Sequence, residues 1–141
     1  MSISKGSFFR PPLLQFNAHL QTIIPNTLRR VSAVQYRRQR IRTADGDFLD
    51  LDWSAVGSDR LAVLCHGLEG DAHRPYVLGM AAHLNRSGWD VLAWNFRGCS
   101  GQINEKPRFY HAGDTEDLQT VLESASERDY AALGLVGFSI G

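Results

Sequence analysis

The first regular pattern along the chain is an alternation of apolar and polar residues that predicts a β-hairpin. Residues 34–42 and 48–53 are strand-like, and the residues Ala44-Asp45-Gly46 join them. A three-residue loop of this kind places its glycine in the left-handed conformation. We therefore expect two antiparallel strands with Gly46 in the turn.

The two faces of this hairpin decide its register. A three-residue loop pairs Ile41 with Leu49 and creates one apolar face, whereas a two-residue loop would set Ile41 against Asp50. In the three-residue register the other face carries charged cross-strand pairs, Arg40 with Asp50 and Arg38 with Asp52. This register is the prediction. The basic residues around this hairpin, Arg29, Arg30, Arg37, Arg38, Arg40 and Arg42, are then mainly solvated residues facing acidic partners.

Three short apolar runs and two helical patterns alternate after the hairpin. The runs are typical of buried parallel strands and comprise Leu61–Cys65, Val91–Trp94 and Leu133–Val136. A first helix is predicted to begin near Pro75 and to end at Gly88, and a second to begin near Asp114 as its N-cap. Their apolar stripes are Tyr76, Met80, Ala81 and Leu84, then Leu118, Val121, Leu122 and Ala125. This order predicts an α/β fold with a parallel sheet.

Composition places the chain among globular domains. It has 141 residues, of which 43% are hydrophobic and 21% charged, and its 15 basic residues balance its 15 acidic ones. This balance gives no general attraction to nucleic acid, and no apolar run is long enough for a signal peptide or a membrane span. Cys65 and Cys99 do not make a disulfide framework, so we expect a cytoplasmic location.

Residues 1–30 differ from the rest of the chain. The adjacent Pro11 and Pro12 argue against a helix there, and large apolar residues surround them. We predict an N-terminal arm packed on the domain, with the domain itself spanning residues 31–141. A lipid-facing surface is the alternative for this segment.

The last five residues, Gly137-Phe138-Ser139-Ile140-Gly141, form a G-x-S-x-G pattern directly after an apolar strand. In this pattern a sharp strand-to-helix turn holds a serine with its hydroxyl exposed, as in the nucleophile elbow of the α/β-hydrolases. Ser139 is therefore the candidate catalytic nucleophile. Ser100 lies in a G-C-S-G sequence that lacks this spacing, and we interpret it as a turn residue.

Two backbone N–H groups are the candidate oxyanion donors. In this fold one donor is the residue after the nucleophile, here Ile140, and the other lies in the loop after the third strand. That loop is His66-Gly67-Leu68-Glu69-Gly70, and Leu68 is the predicted donor. Gly67 lets the backbone approach a substrate closely.

No histidine is assigned as the catalytic base. The triad order in this fold is Ser, then Asp or Glu, then His, but every histidine precedes Ser139: His19, His66, His73, His83 and His111. We expect His66 and His111 to support their own loops. A metal site from His66, Glu69, Asp71 and His73 has suitable residue types without a known ligand spacing, so none is predicted.

Four segments together resemble one subfamily of the α/β-hydrolases. They are residues 45–53 (DGDFLDLDW), 66–70 (HGLEG), 95–101 (NFRGCSG) and 110–117 (YHAGDTED), with a further similarity at residues 17–22 (NAHLQT). The subfamily contains bacterial esterase-like proteins and eukaryotic monoacylglycerol and phospholipid lipases and medium-chain ester synthases. The resemblance implies a serine esterase that needs no cofactor, with Ser139 as nucleophile.

The resemblance also implies that the chain is the N-terminal half of this fold, truncated at the elbow, with the C-terminal half absent. We expect the whole protein to hydrolyse small-molecule esters of short or medium acyl chains, without a nucleic-acid partner, and the 141-residue chain to be inactive alone. Transfer of the acyl group to an alcohol is one alternative. A non-catalytic remnant is the other.

Overall fold

A computed structural model describes Asn17, His19, Gln21 and residues 34–141. By its internal contacts the chain divides into two units, Met1–Arg30 and Val31–Gly141. In the first unit the Asn17 carbonyl accepts the Gln21 N–H at 3.0 Å, and the Asn17 side chain accepts the His19 N–H at 2.9 Å. The predicted packing of an arm formed by residues 1–30 lies outside the described residues and stays a prediction.

The second unit contains a five-stranded mixed sheet with a helix on each face. Its elements in chain order are β1 (Arg37–Arg42), β2 (Phe48–Ser54), β3 (Arg60–Cys65), α1 (Pro75–Arg86), β4 (Asp90–Asn95), α2 (Thr115–Ser126) and β5 (Ala132–Gly137). The strand order is β1-β2-β4-β3-β5, antiparallel from β1 to β4 and parallel from β4 to β5. The predicted strands and helices are therefore present, and the parallel part of the sheet carries the carboxyl ends where a site can form.

The hairpin has the predicted register. Ile41 faces Leu49, Arg40 faces Asp50, and Gly46 adopts a φ of +79° in the turn. Arg40 and Arg38 each make two side-chain hydrogen bonds of 2.7 to 2.8 Å to their carboxylate partners on β2. The acidic residues of β2 are thus paired although they are almost completely buried.

Each helix covers a separate hydrophobic cluster. The cluster under α1 comprises Leu64, Ala72, Val77, Ala81, Val91 and Ala93. The larger cluster under α2 comprises Leu49, Leu51, Trp53, Leu61, Val63, Cys65, Leu92, Trp94, Phe96, Val121 and Ala125. β3 and β4 contribute alternate residues to both clusters because both of their faces are covered.

The start of α2 is where predicted, but the mechanism at its N-terminus is different. Asp114 is the N-cap residue, yet its side chain makes no capping hydrogen bond. Instead its Oδ1 accepts a 2.6 Å hydrogen bond from Arg108. Arg108 thus holds one oxygen of the carboxylate that the sequence predicts as the helix cap, and within the described residues the other oxygen, Oδ2, is buried without a hydrogen-bond partner.

Arg97 ties the hairpin turn to the N-terminal turn of α2. Its guanidinium donates two hydrogen bonds of 2.7 Å to Asp117 on α2 and bonds of 2.8 and 3.1 Å to Asp45 and Asp47 at the turn. The side chains of Arg97, Asp47 and Asp117 are at most 4% exposed. This group, called here the Arg97 cluster (Arg97, Asp45, Asp47 and Asp117), is buried except for Asp45 and fixes the segment between β4 and α2.

β5 pairs with β3 and is an edge strand in the sheet formed by the described residues. Val136 packs towards the α1 cluster. On the α2 face, Leu133 and Leu135 are 43% and 52% exposed, although their partners on β3 are completely buried. One face of β5 is therefore apolar and open.

Candidate active site

The candidate site lies where two adjacent parallel strands end. The ladder between β3 and β5 continues to the pair Cys65 and Gly137, and the Phe138 N–H then donates to the Cys65 carbonyl at 3.1 Å. Because the two strands are parallel, the loop after β3 and the turn after β5 emerge side by side. The sheet itself brings the two predicted parts of the site together.

The turn after β5 presents Ser139 in a strained conformation. Ser139 has a φ of +59°, in the left-handed region that non-glycine residues rarely adopt, and the Gly141 N–H closes the turn by donating to the Phe138 carbonyl at 3.0 Å. A Cβ on Gly137 would collide with the Gly141 backbone, and one on Gly141 would lie 2.5 Å from the Cys65 carbonyl oxygen. Both glycines of the motif are thus needed for close packing, and Ser139 between them is exposed.

The loop after β3 forms a β-turn over residues 67–70. The Gly70 N–H donates to the Gly67 carbonyl at 3.0 Å, and Glu69 has a φ of +53°, as in type II turns. A Cβ built on Gly67 would lie 3.3 Å from both the Ser139 Cβ and the Phe138 carbonyl oxygen. The predicted oxyanion loop therefore contacts the serine turn directly.

Hydrogen bonds occupy every N–H group of this turn except one. The Gly67 N–H donates to the Tyr76 hydroxyl at 2.9 Å, and the Glu69 N–H donates to the Tyr110 hydroxyl at 2.8 Å. Within residues 34–141, neither the Leu68 N–H nor the Ile140 N–H donates a hydrogen bond to the protein. Among the described residues, the two N–H groups predicted as oxyanion donors therefore have no acceptor.

His66 is a structural residue of the loop. It is completely buried, its Nδ1 lies 2.7 Å from the Gly67 carbonyl oxygen, and its Nε2 accepts the Phe96 N–H at 3.1 Å. Accepting at Nε2 requires that the proton be on Nδ1, which then donates to Gly67. Burial lowers the pKa of His66 and so favours this neutral form. Both ring nitrogens are engaged, so His66 has none left for a metal ion or for Ser139.

His111 also supports its own loop, because its Nδ1 accepts the Gly113 N–H at 3.2 Å and its carbonyl accepts the Asp114 N–H at 3.0 Å. His73 packs edge-on against Tyr36, with 5.4 Å between the ring centroids. In the described part of the chain, no cluster of three potential metal ligands is present.

Tyr76 and Tyr110 are the site residues that sequence reasoning missed. Tyr76 was interpreted only as part of the apolar stripe of α1, and Tyr110 only as a motif residue. The ring of each tyrosine packs against the core, and its hydroxyl accepts a hydrogen bond. The spacing of apolar residues in the sequence can predict burial of the ring but not the hydrogen bond of the hydroxyl. The one relevant feature of the sequence is the glycine-rich loop 66–70. Because glycine has no side chain, residues from other elements must fill the space beside this loop.

A cavity of about 190 Å³ lies on the α2 face, where its lining includes Cys65, Leu118, Tyr110 and Ile140. Neither Ser139 nor Leu68 is among its lining residues. Of the three candidate site residues, only Ile140 lines it.

The structure is the N-terminal half of an α/β-hydrolase fold. It has a hairpin, then the succession β3-α1-β4-α2-β5, and then a turn in which a serine has a positive φ. Solved structures agree with this class. The Pyrococcus furiosus esterase Pf2001 superposes with a TM-score of 0.65 at 25% identity, over 77% of this chain and 43% of that one. A Xanthomonas campestris protein described as an α/β serine hydrolase without a lid gives a TM-score of 0.64 at 26% identity, over 76% of this chain and 52% of that one.

Sequence relatives narrow the class to a subfamily. The chain is 40% identical over 131 residues to the Escherichia coli protein named "Putative esterase YheT", covering 89% of this chain and 38% of that protein. It is 32% identical over 111 residues to human phospholipase ABHD3, covering 72% of this chain and 27% of that protein. No protein-family model matches the chain. These relatives confirm the resemblance to the esterase and lipase subfamily inferred from the motifs.

A third relative is the Saccharomyces cerevisiae protein named medium-chain fatty acid ethyl ester synthase/esterase 2. It is 33% identical over 69 residues, which cover 48% of this chain and 15% of that protein. The chain thus spans between 15% and 38% of the length of the three relatives.

Proposed function

We propose that the complete gene product hydrolyses carboxylic esters through an acyl-enzyme intermediate on Ser139. The observation that carries the proposal is the contact between the strained Ser139 turn and a loop whose Leu68 N–H has no acceptor in the described part of the chain. A serine held in this way, beside free backbone donors, is equipped for acyl transfer.

The proposed reaction has two steps. In the first, the Ser139 oxygen bonds to the acyl carbon, and a general base takes the serine proton. The oxyanion receives hydrogen bonds from Leu68 and Ile140, the ester C–O bond breaks, and the alcohol leaves with the proton from the base. In the second step, the base takes a proton from water as the water oxygen bonds to the acyl carbon; the bond between the acyl carbon and the Ser139 oxygen then breaks, the base gives the proton to Ser139, and the carboxylic acid leaves. The acid and the base come from outside residues 1–141, since this fold places them after the serine.

A fluorophosphonate probe tests the nucleophile. We expect it to label Ser139 covalently in the complete gene product, and Ser139→Ala to abolish the labelling. Ser100→Ala is the matched control and should be labelled normally, because the Ser100 side chain hydrogen-bonds Asp50 on β2 and the Ser100 carbonyl accepts from Arg38, so neither group acts as a nucleophile. Labelling that persists in Ser139→Ala, or that moves to Ser100, contradicts the assignment.

Transfer of the acyl group to an alcohol is a second candidate function. Its support is the similarity to a yeast protein whose name includes both synthase and esterase. An alcohol would attack the same acyl-serine in place of water. Adding ethanol to the hydrolysis assay distinguishes the two: accumulation of an ethyl ester that depends on Ser139 supports transfer, and release of acid alone contradicts it.

We further propose that the partner is a small-molecule ester of short or medium acyl chain rather than nucleic acid, and that the protein is cytoplasmic. The balanced charge and the free Cys65 and Cys99 support this. None of the described helices is both long enough and apolar enough to cross a membrane. Subcellular fractionation of cells expressing the complete gene tests the location, and recovery outside the cytoplasm contradicts it.

A further inference from the structure

We infer that Tyr76 and Tyr110 are positioning residues, which hold the turn 67–70 from opposite faces of the sheet so that its Leu68 N–H is directed at the oxyanion. The inference rests on the proposed function, and it concerns which residues make the donor geometry possible. Neither tyrosine would touch the reacting atoms.

The first observation is the pattern of N–H groups in the turn. The hydroxyls of Tyr76 and Tyr110 accept the N–H groups directly before and after that of Leu68, and the Gly70 N–H is used within the turn. The N–H groups of Gly67 and Glu69 are therefore held by side chains from other elements. The Leu68 N–H between them is fixed in direction but is still available to a ligand.

The second observation is that the two tyrosines belong to different halves of the core. Tyr76 is in the first turn of α1 and packs against the α1 cluster, whereas Tyr110 precedes α2 and packs against the α2 cluster. A turn held from one side could still rotate about that attachment. Attachment from both sides of the sheet removes this freedom.

The third observation connects Tyr76 to the nucleophile. Its ring packs edge-on against Phe138, the residue before Ser139, with 4.8 Å between the centroids. Tyr76 thus contacts the oxyanion loop through its hydroxyl and the serine turn through its ring. Tyr110 is anchored by stacking on Phe96, at 5.0 Å and an interplanar angle of 20°.

The test replaces each tyrosine by phenylalanine in the complete gene product. Tyr76→Phe and Tyr110→Phe keep the rings and remove the hydroxyl that accepts the N–H of the turn; in Tyr110→Phe the hydrogen bond between that hydroxyl and Cys99 is lost as well. We expect kcat on p-nitrophenyl butyrate to fall about 10- to 100-fold, as for a small misplacement of a catalytic group, with KM changed less than about twofold. The effect of Tyr76→Phe should be the larger, because Gly67 is buried while Glu69 is exposed to water that can replace the hydroxyl.

A transition-state analogue supplies a readout that a purely structural role would not change. A trifluoromethyl ketone forms a tetrahedral adduct whose oxyanion occupies the donor site, so its affinity should fall by about the same factor as kcat. Rates are expressed per serine titrated by the fluorophosphonate at completion. A loss of folded protein then cannot imitate a loss of kcat.

Tyr130→Phe is the matched control. Tyr130 also makes a hydrogen bond through its hydroxyl, at 3.0 Å to Asp90, but at the first residue of β4, the opposite end of the sheet. It should keep wild-type kcat per titrated serine and wild-type analogue affinity.

The outcomes separate the two proposals. If labelling persists in Ser139→Ala, the proposed function fails. If labelling requires Ser139 but the Tyr76 and Tyr110 variants keep wild-type kcat per titrated serine, or lose kcat without losing analogue affinity, the positioning role alone is overturned.

Discussion

Leu68 occupies the first central position of the turn 67–70, a position that proline accepts in type II turns. Leu68→Pro therefore removes one N–H with little change of backbone, whereas Leu68→Ala retains it. If this N–H is an oxyanion donor, kcat should fall about 10²- to 10³-fold in Leu68→Pro and change little in Leu68→Ala. Equal kcat values for the two variants, both shown to be folded by circular dichroism, would exclude Leu68 as a donor.

For individual residues, the sequence predicts where a side chain lies better than it predicts which hydrogen bonds that side chain makes. The motif spacing places Ser139 and Leu68 at the ends of adjacent strands because parallel-strand topology is encoded by the order of elements. The Tyr76 and Tyr110 hydroxyls could not be predicted, because their acceptor role depends on where a glycine-rich turn lies in three dimensions. Asp114 shows the same limit, since its capping function is lost to Arg108, a neighbour brought there by the loop.

Among the connections between elements, the Arg97 cluster carries the largest predicted effect on stability. Arg97→Met would leave the buried Asp47 and Asp117 without their cation, which typically costs about 3–5 kcal/mol. The exposed pair Arg42–Glu105 provides a control, and Arg42→Met should change the free energy of unfolding by less than about 0.5 kcal/mol. Urea unfolding at neutral pH measures both. Similar midpoints for Arg97→Met and Arg42→Met would show that the cluster is not stabilising.

The same cluster predicts a pH dependence. Burial alone would raise the pKa of Asp47, but hydrogen bonds from the Glu105, Phe48 and Lys106 N–H groups and from the Asn104 amide lower it below its ordinary value. A lowered folded-state pKa contributes stability that is present above the unfolded-state value, about 3.9, and is lost as the pH falls through the folded-state value.

Asp47→Asn should therefore be less stable than the wild type at pH 7, and the difference should narrow below about pH 4. Urea midpoints measured at pH 7 and at successive steps below pH 4 give this comparison. A difference that stays constant over this range would mean that Asp47 ionisation is not linked to folding.

The hairpin and the Arg97 cluster show which contacts between secondary-structure elements can be predicted from the sequence and which cannot. The pairing of Arg40 with Asp50 follows from local alternation and a three-residue loop, both of which are visible in the sequence. The pairing of Arg97 with Asp117 spans 20 residues and an irregular loop, so no periodicity reports it. An acidic residue in the first turn of a helix ordinarily interacts with the helix dipole, but Asp117 is paired with a buried cation instead.

For the molecule as a whole, the open apolar face of β5 predicts self-association of the 141-residue chain. Leu133 and Leu135 are exposed on an edge strand, and such edges pair with other copies. Leu133→Thr combined with Leu135→Thr keeps β propensity and should reduce association, as measured by sedimentation velocity. Val56→Thr changes an equally exposed apolar residue outside the strands and should have little effect. A monodisperse wild-type chain with a cooperative melt would contradict the prediction.

The left-handed backbone at Ser139 implies a conflict between activity and robustness. A non-glycine residue in this region costs about 1–3 kcal/mol, a noticeable part of a whole-domain stability of about 5–15 kcal/mol. Glycine adopts the conformation without strain, so Ser139→Gly should melt at a higher temperature than Ser139→Ala in calorimetry, although neither retains the nucleophile. The reverse order would show that the turn is relaxed. If Ser139→Gly has the higher melting temperature, replacing the serine by glycine gives a more stable but inactive protein. Only selection for activity would then keep a serine at this position.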